Sequence, residues 1–153
     1  MPTRKASATW DGGLKGGNGK FDGESGAVGG AYSFGSRFEE GNRGSNPEEL
    51  LAAAEAACFS MALAGALEKA GTPPTRVHTD AACTVEKVGE GFKITRIKLN
   101  VRAQVPGVDQ DTFQQAAQST KENCPVSTAL RGNVDIELDV QLENAGETAG
   151  AGV

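Results

Sequence analysis

Gly44–Gly71, GSNPEELLAAAEAACFSMALAGALEKAG, is the stretch on which the fold turns. Ser45 or Asn46 supplies an N-cap, Pro47 fits the first helical position, Glu48 and Glu49 complement the positive end of the helix dipole, and Gly71 follows the last periodic residue. The spacing predicts one long helix. Between its charged ends only Glu55 and Ser60 are polar, so the helix is apolar nearly all round and needs other elements to enclose it. A membrane span would also be long and apolar, but Ala-rich interiors gain little from lipid and Glu55 would sit inside the bilayer. A central, buried helix of a soluble protein is therefore expected. Ala52, Ala53, Ala54, Ala57, Ala62, Gly65 and Ala66 are small enough to let a second backbone approach closely, which makes a partner subunit a candidate for part of the enclosure.

Ahead of this helix, KASATW (residues 5–10) suggests a first strand, and short strand-like pieces around Gly19–Phe21 and Gly30–Phe34 are separated by Gly and polar residues. Behind it, Arg76–Val88 and Phe92–Val105 alternate and are joined by Gly89-Glu90-Gly91, a hairpin signal. Val77, Ala81, Cys83 and Val85 share one face of the first run, and Ile97, Leu99, Val101, Ala103 and Val105 share one face of the second. Phe92 and Ile94 have the opposite parity, which predicts a bulge near Thr95-Arg96. Asp109 or Asp111 opens a second helix with Phe113, Ala116, Ala117, Thr120 and Cys124 on its inner face, and Val134, Ile136, Leu138, Val140 and Leu142 alternate as a closing strand. The sequence NAGETAGAGV has nothing with which to pack, so the tail over residues 144–153 is expected to be disordered. Strands, helix, hairpin, helix and strand without regular alternation make an α+β fold in one domain over residues 1–143.

The chain has 153 residues, with 20 acidic against 15 basic side chains and a net charge of -5. No block of Lys/Arg appears, so neither nucleic acid nor an anionic membrane has electrostatic support as a partner. The N-terminus lacks the order of a signal peptide, and a cytoplasmic protein is expected. Cys58, Cys83 and Cys124 are odd in number and have no CxxC spacing, which speaks against a secreted disulfide framework and a zinc ribbon.

Buried thiols or reactive ones remain. Cys83 lies on the apolar face of a strand and reads as packing. Cys124 precedes Pro125 in ENCPVSTALR, where Pro suits the first turn of a new short helix. The thiol would then hold an N-cap position, where backbone N–H groups favour a thiolate. Cys58 lies about three turns into its helix, beyond the reach of the dipole, and burial alone would raise its pKa. A reactive Cys58 needs a cation from elsewhere. His78 falls on the polar parity of its strand, so a Cys-His pair is not expected, and Arg37 and Arg43 in SRFEEGNRGSNPEE are the nearby cations in sequence. On the residues alone, Cys124 is the more acidic thiol.

SRFEEGNRGSNPEELLAAAEAACFSMAL, with NCPVSTAL at residues 123–130 and VPGVDQDTF at residues 105–113, resembles the OsmC/Ohr family of thiol peroxidases, and its OsmC branch more closely than its Ohr branch. The resemblance runs from the KASATW strand to Leu142. It implies antiparallel sheets wrapped around a central buried helix, in an intertwined homodimer with active sites at the subunit interface and no metal or prosthetic group. It further implies that Cys58 is the peroxidatic residue, that Cys124 condenses with it to a disulfide, that Arg37 stabilises the thiolate and that Glu48 orients Arg37. The implied substrate is an organic hydroperoxide, and the implied reductant a dithiol, with lipoylated proteins carried over from the Ohr branch. Phe59 and Met61 would form an apolar wall for the alkyl part of the peroxide. Ten residues separate Glu48 from Cys58, a rise of roughly 15 Å, so the expected site is built in trans between two copies. Two readings of other classes compete: a dimeric module that binds a lipid-like ligand, and a redox sensor whose disulfide signals without turnover.

Overall fold

The computed structural model describes residues 1–144. The chain divides into two compact units, one over Met1–Leu50 and one from Leu51 onward.

In the first unit, β1 (Ala6–Asp11), β2 (Asn18–Gly23) and β3 (Gly29–Tyr32) form an antiparallel sheet in that order. Its glycines let aromatic rings lie on the sheet. A Cβ on Gly19 would come within 2.5 Å of the Tyr32 ring, and that ring packs 5.5 Å from Trp10 and 6.0 Å from Phe21, centroid to centroid. A short helix, α1 (Phe34–Phe38), was not expected from the sequence. Its cap uses two serines. Ser36 N–H donates to Ser33 Oγ and Ser33 N–H donates to Ser36 Oγ, a capping box with Ser in the place usually held by Glu or Gln.

The long helix, α2 (Pro47–Lys69), starts and stops as its sequence predicts. Asn46 is the cap, its Oδ1 accepting from Glu49 N–H at 2.7 Å. At the other end Gly71 has φ +89, Thr72 N–H reaches Leu67 O and Gly71 N–H reaches Glu68 O, a Schellman stop.

The second unit holds β4 (Arg76–Val88), β5 (Gly91–Gln104), α3 (Gln110–Asn123), α4 (Pro125–Leu130) and β6 (Asp135–Leu142). The strands form one sheet, β4-β5-β6. Thr84 pairs with Arg96 and Val85 with Ile94, so Thr95 is the extra residue of the expected bulge. The expectation of purely antiparallel sheets is corrected here, because β6 runs parallel to β5 with Ile97 opposite Ile136. Parallel neighbours need a long crossover, and α3 and α4 supply it.

Phe59, Leu63 and Leu67, spaced by one turn on α2, enter a core with Ile97, Leu99 and Val101 of β5 and Phe113 and Ala117 of α3. Each such large side chain stabilises by about 1.5–3 kcal/mol when fully buried. This face, rather than helix propensity, holds the C-terminal half of α2. Ser60, one of its few polar residues, donates to Thr79 Oγ1 of β4 at 2.7 Å. Length and a mean hydropathy of 1.8 would suit α2 to a membrane. One face of it, with Phe59, Leu63 and Leu67, packs into the core. It is not, however, enclosed all round within one chain: Ala54, Ala57, Met61 and Gly65 are exposed, Met61 at 81 %.

Asn144, assigned above to the tail, accepts a hydrogen bond from Val105 N–H at 3.1 Å. The remainder of the expected disordered segment lies outside the described residues.

Candidate active site

Two constellations carry the residues singled out in the sequence, one in each unit. In the second, Cys58 stands midway along α2, and Cys124 is both the last cap of α3 and the first cap of α4. Their Sγ atoms are 3.0 Å apart and both thiols are free. Cys124 is 1 % exposed, while Cys58 is half-buried. Two cysteines distant in sequence thus meet where Pro125 turns the chain. Cys83 stands apart on β4, packed against the core.

The polar surroundings of Cys58 decide its protonation. Burial pushes its thiol up, and the hydrogen bond shared with Cys124 adds to this; the Val126 N–H pulls it down, and the charges of Cys124 and Glu55 push it up again. The balance is a raised pKa. Among the described residues, no positive charge contributes to it. The cap argument made from the sequence is corrected in one respect. Cys124 does occupy the N-cap of α4, but its side chain makes no cap bond, and the N–H of Val126 in the first turn serves Cys58.

Glu55 and Ser127 belong to the same constellation and were missed as functional candidates. Ser127 Oγ donates to Glu55 Oε1, and both side chains are buried. Among the described residues Glu55 Oε2 finds no hydrogen-bond partner, and burial pushes this carboxyl up despite the Ser127 bond. The signal was present: Glu55 is in phase with Phe59, Leu63 and Leu67, so it lies on the buried face rather than the open one. His78, by contrast, bonds Asp80 at 3.0 Å on β4, in keeping with its polar parity.

In the first unit, Arg37 of α1 and Glu48 of α2 form an ion pair. Arg37 Nε and Nη2 each lie 2.9 Å from Glu48 Oε1. Glu48 is 5 % exposed, its Oε2 has no partner among the described residues, and Arg37 stacks 5.1 Å from the Phe38 ring centre. Three serine and asparagine contacts bring the two helices to this register. Ser36 Oγ donates to Ser45 O at 2.8 Å, and Asn46 Nδ2 donates to Ser36 O at 3.2 Å while its Oδ1 caps α2. Arg37 also lines an apolar cleft of about 250 Å³ with Trp10, Leu14, Tyr32, Phe34 and Phe38. Phe59 is fully buried in the core and Met61 faces outward, so within one chain the two do not form the expected wall. Among the described residues no group of three or more His, Cys, Asp or Glu gathers to hold a metal ion.

The family described as OsmC-like protein matches residues 40–139. The chain is 46% identical over 142 residues to the peroxiredoxin OsmC of Escherichia coli K12, covering 92% of this chain and 97% of that protein. It is 36% identical over 99 residues to an organic hydroperoxide resistance protein of Xanthomonas axonopodis pv. citri, covering 64% and 68%. Among solved structures, the organic hydroperoxide resistance protein OhrB of Bacillus subtilis superposes with a TM-score of 0.71 at 29% identity, over 90% of this chain and 98% of that one. Sequence and fold agree, and the chain belongs to the OsmC/Ohr family.

Proposed function

We propose that this protein is a cytoplasmic, cysteine-based peroxidase that reduces organic hydroperoxides to alcohols in defence against oxidative stress, acting as a single domain over residues 1–143. The observation that carries the proposal is the pair of free thiols, Cys58 and Cys124, with sulfurs 3.0 Å apart. The names of the relatives, peroxiredoxin and organic hydroperoxide resistance protein, support it.

The Cys58 thiolate attacks the peroxide, the O–O bond breaks, the alkoxide takes a proton and leaves as alcohol, and Cys58 becomes a sulfenic acid. Cys124 then displaces water from that sulfur and closes a disulfide. A dithiol, a lipoylated protein in the extrapolation from the Ohr branch, returns both thiols. The raised pKa of Cys58 sets a requirement: a cation must reach it before it can attack at neutral pH. Arg37, held by Glu48, is that cation, supplied by the second copy in a homodimer, and the cleft beside Arg37 takes the alkyl group.

A peroxide-consumption assay with dithiol and monothiol reductants tests the reading. Turnover of an organic hydroperoxide that is faster with the dithiol supports it. Stoichiometric disulfide formation without turnover would instead mark a redox sensor, and no thiol oxidation at all would leave a module that binds a lipid-like ligand.

A further inference from the structure

Glu55 and Ser127 have no part in the cycle above, although they lie one turn from each of its thiols. Glu55 precedes Cys58 by three residues on α2, and Ser127 follows Cys124 by three residues into α4. Two contacts therefore cross the same pair of helices, side by side: sulfur to sulfur and hydroxyl to carboxyl.

Stability alone does not call for this carboxyl. It is 0 % exposed, in phase with Phe59, Leu63 and Leu67, and one of its oxygens has no partner among the described residues. An apolar side chain there would avoid the cost of burying an unpaired polar atom. What the carboxyl does supply is a fixed register for α4. That helix has six residues, Ser127 is its buried one, and Cys124 at its start makes no cap bond of its own. The place of the Cys124 sulfur is thus set by how α4 is held, and the Ser127–Glu55 bond ties it to α2 beside the packing of Leu130 on the core.

We propose that Glu55 and Ser127 form a clasp that positions Cys124 for the second half of the cycle, disulfide closure on the Cys58 sulfenic acid. The proposal rests on the peroxidase reading. In that step the Cys124 sulfur attacks the Cys58 sulfur, the S–O bond of Cys58 breaks, and the hydroxide leaves as water with the proton that Cys124 gives up. Cys58 sulfur is reduced and Cys124 sulfur oxidised. Closure requires the sulfurs to move from 3.0 Å to a bond of about 2.05 Å with a dihedral angle near a right angle of either sign. A small rotation of α4 is enough to spoil it. Neither clasp residue touches the reacting atoms in this scheme, so both are positioning residues.

The test is a single-turnover experiment on the reduced full-length protein with one equivalent of tert-butyl hydroperoxide. Dimedone quenching reports the sulfenic acid, and non-reducing mass spectrometry reports the disulfide. Ser127→Ala should slow disulfide closure about tenfold, the loss expected for one buried hydrogen bond, so that the dimedone adduct accumulates. Glu55→Leu, which removes the acceptor but keeps the space filled, should do the same, and keeps the test open if Ser127→Ala does not fold. Ser127→Thr restores the hydroxyl and Glu55→Gln keeps an oxygen to accept it, so both should close at near wild-type speed. Closure as fast as wild type in both disrupting variants would overturn the clasp, as would an equal slowing of both steps, which would mark a general structural role. Wild type that forms no sulfenic acid would overturn the peroxidase reading itself, a result distinct from either.

Discussion

At the scale of single residues, the decisive fact is that Cys58 sits in surroundings that oppose its ionisation. Burial, the partner thiol and the Glu55 carboxyl all push its pKa up, against one backbone N–H. Glu55→Gln removes one of these contributions, so the Cys58 titration should move down; ultraviolet thiolate absorbance across a pH series would show it, and an unmoved curve would deny the coupling. The same variant reports on stability. The folded pKa of Glu55 is raised, so its contribution to folding is present in full below the ordinary carboxyl pKa of about 4.3 and is lost as pH rises through the folded value. The urea midpoint of Glu55→Gln should therefore gain on wild type with rising pH, and a constant gap would contradict the shift. The thiols have separate signatures under the proposed mechanism. Cys58→Ser should abolish peroxide reduction, whereas Cys124→Ser should form one sulfenic acid per chain and stall; reduction persisting in Cys58→Ser would reverse the roles. The cysteines were legible in the sequence because thiols are rare and their flanking residues distinctive. Glu55 was not, because a lone acid in an apolar helix looks the same whether it faces a serine or solvent until its phase with Phe59 is given a core to point to.

At the scale of elements, what the sequence made plain were features written locally. The caps of α2, the bulge at Thr95 and the buried faces of β5 and α3 each follow from a few neighbouring residues. Two features depend on residues far apart and were not legible. The alternation in β6 says which side chains are buried but not which way the strand runs, and the five residues of α1 are too few to show a period. The second omission matters, since α1 carries Arg37. Asn46 joins the two helices of the ion pair, because one oxygen caps α2 and its amide nitrogen holds the Ser36 carbonyl of α1. Asn46→Ala should cost about 1 kcal/mol of stability in denaturant unfolding, the usual value of an N-cap. It should also lower peroxidase activity more than the loss of stability explains, by freeing Arg37 from its register on Glu48. Asn46→Asp, which keeps the cap but not the amide donor, separates the effects: stability should recover and activity should not.

At the scale of the whole molecule, the proposed chemistry asks for more than one chain. Ten residues of helix, a rise of roughly 15 Å, lie between Glu48 and Cys58 on α2, and Arg37 is bound to Glu48. Cys58 meanwhile carries a raised pKa to which no described cation contributes. The exposed, small-residue side of α2, with Ala54, Ala57 and Gly65, leaves room for a second backbone. In the proposed homodimer a site completed in trans would reconcile these facts, with Cys58 of one copy served by Arg37 of the other. Mixing and refolding Cys58→Ser with Arg37→Ala, each inactive or impaired alone, should then yield about half of the dimers as heterodimers. Each heterodimer holds one site with both an intact thiol and an intact arginine, so activity should rise to roughly a quarter of wild type. In a site built in cis, the same heterodimer would contain one chain without the thiol and one without the arginine, and mixing would restore nothing. Heterodimers shown to form but no more active than their parents would therefore place Arg37 with the Cys58 of its own chain, or remove it from the mechanism.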